Sequence, residues 1–296
     1  MGKHLFIYGF GYVAAALSRR LTAKGWRVSG THRRLDGAEA IRAAGAEPVL
    51  ITPAGLRNGE SLLDDVTHIL GSAPPTDSGD PFIAVHGAAL AALPGTLAWL
   101  GYLSTTGVYG DAGGDWVDEA APLAPVHARG ARRVAAEAAW ATLGEESGAP
   151  AVIFRLPGIY GPGRSAFDNL RAGTAKRLVK PGQVFSRIHV ADIAAAIEAA
   201  LALTEGTVLN IADDEPAPPQ DVVTYAAELL GIAPPPEIPF ESAKAGLSAM
   251  ALEFYGANRR IANGRMKEEL GLTLAFPTYR EGLKAILVGE GTAGGL

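Results

Sequence analysis

The chain has 296 residues, 48% of them hydrophobic and 19% charged, a balance that supports a folded core and argues against disorder. Its formal net charge of −5 speaks against a nucleic-acid partner, since no long basic run offsets the acidic balance. Cysteine is absent altogether, which excludes disulfides, thiolate metal sites and cysteine nucleophiles.

The opening MGKHLFIYGFGYVAAAL has the basic-then-apolar look of a signal peptide, but its Gly-x-Gly falls where a strand should turn into a helix. It is read as part of a domain. No apolar run reaches the ~18 residues needed to span a bilayer, so no membrane partner is expected and the cytoplasm is the default location. Short apolar runs then alternate with segments of helical period, as parallel strands joined by crossover helices do. Strands are expected at HLFIYG, WRVSGT, EPVLI, THILGS, LGYLST and PAVIFRL, with helices over 13–24 and 128–143. This is an α/β fold, a doubly wound parallel sheet of the NAD(P)-binding Rossmann type. After Arg155 come Gly/Pro-rich loops, a helix in HVADIAAAIEAALAL and a strand in GTVLNIA, followed by a proline-rich connector from Ala233. Helices are then expected over 243–255 and 261–270. The division that follows is a nucleotide domain of residues 1–158 and 187–231 and a smaller, mainly helical substrate lobe of 159–186 and 232–296.

In YGFGYVAAAL, Gly9, Gly11 and Ala14 have G-x-G-x-x-A spacing between a strand and a helix. Gly9 permits a tight turn, Gly11 leaves room for a pyrophosphate, and Ala14 lets helix and strand pack closely. The main chain of Gly9, Phe10, Gly11, Tyr12 and Val13 then offers N–H groups to the anion. An acidic residue ending the second strand would accept from the ribose of NAD. Here that end reads Thr31, His32, Arg33, Arg34, with no carboxylate before Asp36. Two guanidiniums there suit the extra phosphate of NADP, which is favoured over NAD; a solvated basic loop is the alternative.

From YLSTTGVYGD onward the sequence resembles the extended short-chain dehydrogenase/reductase family. VDEAAPLAP, FRLPGIYGPGR, RIHVADIAAAI, LNIADDEPAP and NRRIANGRMKEELG carry the likeness over nearly the whole chain. It is closest to the atypical NAD-dependent epimerase/dehydratase branch, whose members often lack the full active-site set. The resemblance implies that Thr105 hydrogen-bonds the reacting oxygen, where the bland alternative is a strand-end threonine satisfying its own backbone. It also implies a tyrosine general acid/base and, four residues on, a lysine that lowers the tyrosine's pKa and holds the ribose. Counting back from Glu137, which matches the family's downstream glutamate, Arg129 stands at the tyrosine and Arg133 at the lysine. Arginine keeps its proton at any ordinary pH and cannot relay one. Arg129 and Arg133 are therefore expected either to clamp a cofactor phosphate or anionic substrate, or to be solvated charges. Thr106 and Gly107 replace the acid and base of dehydratase members, which disfavours dehydration. Pro157 resembles the residue whose neighbouring backbone abuts the nicotinamide. Arg187 resembles one bordering the substrate crevice. Tyr109 and Tyr160 are alternative phenols, with structural packing the favoured reading.

His68, His86, His127 and His189 show no metal-ligand spacing, so no metal is expected. His189 and Asp192 are read as helix-start residues. No G-x-S-x-G elbow or P-loop occurs. The expectation is an NADP-dependent oxidoreductase or epimerase-like enzyme of nonstandard mechanism, acting on a small substrate for which an anion is one candidate. A non-catalytic NADP-binding sensor is the alternative. The resemblance allows a homodimer through helices flanking the central strands.

Overall fold

The structure, a computed structural model, describes residues 2–34, 37–52, 55–56, 63, 65–92 and 95–293. All five residues of the first strand, β1 (His4–Tyr8), are buried, as a strand covered by helices on both faces requires. One sheet is completed by β2 (Arg27–His32), β3 (Glu47–Thr52), β4 (Gly55–Leu56), β5 (His68–Gly71), β6 (Trp99–Thr105), β7 (Ala151–Leu156) and β8 (Thr207–Asn210). These eight strands lie in the order 8-7-6-5-1-2-3-4. All neighbours pair parallel except β4, which runs antiparallel to β3. The order reverses between β1 and β5, and at such a switch point a crevice opens beyond the C-terminal strand ends.

The first six helices are α1 (Tyr12–Thr22), α2 (Gly37–Ala43), α3 (Pro81–Ala91), α4 (Ala128–Ser147), α5 (Ala166–Arg171) and α6 (Val190–Ala200). After β8 come α7 (Pro219–Leu229), α8 (Phe240–Ala243), α9 (Ala249–Tyr255), α10 (Gly264–Leu270) and α11 (Tyr279–Ala293). Because side chains alternate along a strand, β1 feeds two cores. Leu5 and Ile7 pack with Leu17 of α1 and Ile193 and Ile197 of α6. Phe6 and Tyr8 pack with Phe82 of α3 and Trp140 of α4. Trp140 lies between Phe82 and Tyr102, nearly parallel to both, at 5.4 and 5.7 Å between centroids. Offset stacking of this kind fixes α3 and α4 on that face. Among the described residues no helix is long and apolar enough to cross a membrane.

Two expected helices are corrected. The one over 243–255 is broken: a 3-10 turn, Lys244–Gly246, follows α8, and Ser248 starts α9 by accepting the Ala251 N–H at 3.2 Å. A serine at a helix N-terminus competes successfully with continuation of the preceding turn. The helix over 261–270 begins only at Gly264, because Arg260–Ile261 pairs in parallel with Trp116–Val117.

Candidate functional site

Gly9 ends β1 at φ +96°, and a methyl group on it would lie 2.6 Å from the Ala73 nitrogen. The turn thus presses against the chain leaving β5, at the point where strand order reverses. Thr31, buried at the end of β2, holds the turn. Its hydroxyl accepts the Gly9 N–H at 2.7 Å and its carbonyl the Phe10 N–H at 3.1 Å. Its side chain therefore shapes the turn rather than facing outward. The Phe10 ring covers Gly30, where a Cβ would sit 2.2 Å away. Gly11 begins α1 in extended conformation with nothing within 4 Å of where a side chain would project, so the outer face of the turn is open. Val13 and Ala14 are buried beneath it. Neither a side-chain cap nor an acidic first-turn residue occupies the start of α1. The N–H groups of that first turn have no intrahelical acceptors, and with the helix dipole they favour an anion. The Tyr12 hydroxyl donates to the Pro162 carbonyl at 2.9 Å, tying the turn to the loop beyond β7.

Beyond β2, Arg33 and Arg34 are exposed. Arg33 makes no ion pair among the described residues. The carbonyl of Arg34 accepts from His32 Nδ1 at 2.6 Å. Asp36 lies outside the described residues.

A cavity of about 250 Å³ opens at the C-terminal end of the sheet, lined by Thr105, Pro157, Arg129, Arg187 and Arg259 among others. Val126, Phe185, Phe254 and Ile261 supply an apolar wall. The Thr105 hydroxyl accepts the Gly107 N–H at 3.2 Å, which leaves its own hydrogen free to donate. Arg187 donates to the carbonyls of Phe185 and Ala217 at 2.8 and 3.2 Å. Arg259 donates to the Gly110 carbonyl at 2.5 Å, while its Nε is buried without a partner. The Arg129 side chain, on an exposed residue, makes neither a hydrogen bond nor an ion pair among the described residues. None of these three guanidiniums has a carboxylate within ion-pair distance there. Burial pushes the pKa of both Arg187 and Arg259 below the usual arginine value, outweighing the opposing attraction of Asp213 on Arg187 and of Asp111 on Arg259, because a sheltered cation is poorly solvated. Among the described residues, no three His, Asp or Glu side chains converge as a metal site would require.

Residues 90–212 match the model of the NAD dependent epimerase/dehydratase family. Protein YeeZ of Escherichia coli K12 is 33% identical over 245 residues, spanning 79% of this chain and 86% of YeeZ. This chain belongs to the NAD dependent epimerase/dehydratase family. A solved structure of a functionally unknown conserved protein from Silicibacter pomeroyi DSS is 50% identical, with a TM-score of 0.90 over 97% of this chain and 99% of that one. UDP-glucuronic acid 4-epimerase from Bacillus cereus, solved in complex with NAD, is 16% identical with a TM-score of 0.74, over 95% and 96% of the two chains. At that identity the likeness shows the fold alone.

In this epimerase/dehydratase-family chain the two arginines of α4 part company. Arg129 faces the cavity. Arg133 donates to the Tyr102 hydroxyl at 2.9 Å and to the Leu103 carbonyl at 2.6 Å, which ties its guanidinium to β6 and not to the cavity. Neither alternative phenol reaches the cavity beside Thr105. The Tyr109 hydroxyl is buried, donating to Asn210 Oδ1 at 2.7 Å and accepting from Arg155 at 2.9 Å. That of Tyr160 donates to the Thr278 carbonyl at 3.3 Å, and burial raises its pKa further. His189 caps α6 through Nδ1, accepting the Ala191 N–H at 3.2 Å. Asp192, read as binding N–H groups near it in the chain, instead accepts those of Ala275 and Phe276 at 2.8 and 3.0 Å. Its carboxylate pins the distant C-terminal segment to α6.

Nothing in the sequence signals Arg259, and Asp213, which opens the acidic run DDEP, reads there as solvated surface; the structure corrects this reading. Asp213 is 1% exposed, and neither of its oxygens has a well-formed hydrogen bond among the described residues. Burial lifts its pKa to about 8, against the opposing pull of Arg187. A carboxyl whose pKa rises on folding favours the fold most in its protonated form, so stability falls as pH climbs from about 4 to about 8. Asp213→Asn should therefore melt higher than the parent, with a gap that widens across that interval and then levels off. Parallel thermal melts at pH 5, 7 and 9 check this; a gap independent of pH would show that the carboxyl is charged throughout.

Proposed function

We propose that this protein is an NADP-dependent oxidoreductase that reduces a carbonyl on a small anionic substrate. The observation that carries the reading is the convergence of Arg129, Arg187 and Arg259 on one cavity beside Thr105, with no carboxylate paired to any of them among the described residues. An entering carboxylate or phosphate supplies the directly paired counter-charge that these side chains lack, and guanidiniums suit such groups because their donors fit two oxygens at once. The apolar wall to which Phe185 and Phe254 contribute lowers the polarity around those charges and so strengthens their interactions.

The open turn at Gly9 and Gly11 fits a dinucleotide pyrophosphate, and Arg33 fits the 2′-phosphate of NADP. When bound, the nicotinamide supplies the hydride. Thr105, its lone pair already engaged by Gly107, donates its hydrogen to the substrate oxygen. Arg129 holds the substrate's negative charge close to that oxygen.

Two measurements test the reading. Arg33→Ala should weaken NADPH binding by about tenfold to a hundredfold, as loss of a charge-assisted bond does, while leaving NADH binding unchanged in calorimetric titration. NADPH oxidation, followed at 340 nm as the cofactor's own absorbance, should occur with carboxylate- or phosphate-bearing carbonyl compounds and not with their neutral esters. Thr105→Val should slow that turnover by about a hundredfold. Equal turnover of esters and acids would overturn the assignment of the arginines.

A further inference from the structure

We propose that His127 carries the proton for this reduction. The proposal rests on the reading of the cavity given above and names the group that does what an arginine at position 129 cannot.

His127 stands at the N-terminus of α4 in extended conformation (φ −134°, ψ 152°), yet its side chain makes no capping hydrogen bond. The ring lines the same cavity as Thr105, Arg129 and Arg187. Its Nε2 is buried without a partner, and no hydrogen bond to either ring nitrogen occurs among the described residues. The start of α4 is held tightly against the turn after β6, since a Cβ on Gly130 would lie 3.1 Å from the Gly107 carbonyl. On the other side, a Cβ on Gly256 would lie 3.6 Å from His127 Nε2, so the end of α9 closes over the ring. The imidazole is thus fixed between the reacting end of β6 and the lobe without being used by either.

The remaining histidines are placed differently. His4 bonds Asp65 and Ser29, His32 the Arg34 carbonyl, His68 Thr67, and His189 the Ala191 N–H. His86 packs at a tilt against Phe82 and does not line the cavity. His127 combines a place on the cavity wall with a ring the protein leaves unbonded. Imidazole is also the side chain best suited to exchanging a proton near neutrality.

The step balances as follows. The carbonyl carbon accepts a hydride from the reduced nicotinamide dinucleotide, and the C=O π pair moves onto oxygen. That oxygen takes a proton from Nδ1 of the His127 imidazolium, the ring nitrogen that is not buried, and the neutral ring regains one from solvent at the same atom. The charged groups lining the same cavity are Arg129 on α4, Glu253 on α9, Arg187 and Arg259.

The test has two readouts on the intact chain. In histidine-selective NMR of the cofactor-free protein, inorganic phosphate should shift the His127 ring signals, identified by their loss in His127→Gln. His127→Gln should bind NADPH within about twofold of the parent, as cofactor contacts are elsewhere. It should lose kcat by about a hundredfold or more with little change in KM, as removal of a general acid does, and lose the alkaline limb of the pH profile. Ring signals indifferent to phosphate, or a Gln variant with undiminished kcat and an unchanged pH profile, would overturn the role of His127 alone. A parent protein that binds no NADPH would overturn the functional reading beneath it as well.

Discussion

Replacing Glu137 with alanine is expected to destabilise the fold by about 3–5 kcal/mol, a large share of the ~5–15 kcal/mol that typically separates folded from unfolded chains. Glu137, 6% exposed on α4, is joined to Arg155 on β7, itself 5% exposed, through contacts of 2.7 to 3.2 Å. Ser104 on β6 donates to the same carboxylate, and Arg155 donates through Nη1 to the Tyr109 hydroxyl, which in turn donates to Asn210 on β8. The chain of bonds therefore crosses β6, β7 and β8 from below the cavity. Removing the carboxylate strands a buried guanidinium, and that stranded charge, more than the lost attraction, sets the penalty. Urea unfolding should show the midpoint falling sharply in Glu137→Ala. A Glu137→Met, Arg155→Met double variant should recover most of the loss, because it removes both charges together. If the double variant were as unstable as the single one, packing and not charge would be responsible.

The central sheet was legible because buried parallel strands appear as short continuous apolar runs, and the seven such runs from HLFIYG to GTVLNIA became β1, β2, β3, β5, β6, β7 and β8. The glycine turn was equally legible, since all its parts lie within a few residues of one another. Helix α3 was not: PFIAVHGAALA is apolar on nearly every side and offers no helical period, although Asp80 accepting from the N–H groups of Phe82 and Ile83 marks its start. The lobe misled because its alanine-rich periodicity runs through Ser248, where the cap takes precedence. The cavity was legible only through the family resemblance, which marked Thr105, Arg129, Pro157 and Arg187 but not Arg259. Its arginines come from α4, from the strand before α6 and from the segment before α10, more than fifty residues apart at each step, and nothing local marks them as neighbours. Thr31 was misread for a related reason. Its position at the end of β2 suits a cofactor contact, but burial turns its hydroxyl inward onto Gly9.

Alanine at Gly9 and alanine at Gly11 should part company, and the contrast isolates what the turn does. At Gly9 the left-handed φ disfavours any side chain by about 1–2 kcal/mol, and a Cβ 2.6 Å from the Ala73 nitrogen and 2.9 Å from its Cα has backbone, not a yielding side chain, in its way. Either the exit from β5 or the turn itself must shift, so Gly9→Ala should lower the melting temperature and weaken NADPH binding by about a hundredfold or more, the size of effect that misplaced positioning groups produce. At Gly11 the backbone is extended and the space for a Cβ is empty. Gly11→Ala should consequently fold as the parent does, with an unchanged melting temperature, yet still bind NADPH at least tenfold more weakly, because its methyl group would occupy the face where the pyrophosphate approaches. Thermal melts beside calorimetric titration separate the two effects. A Gly11→Ala variant with parental affinity would place the phosphates somewhere other than at this turn, and the role assigned to Arg33 would fall with them.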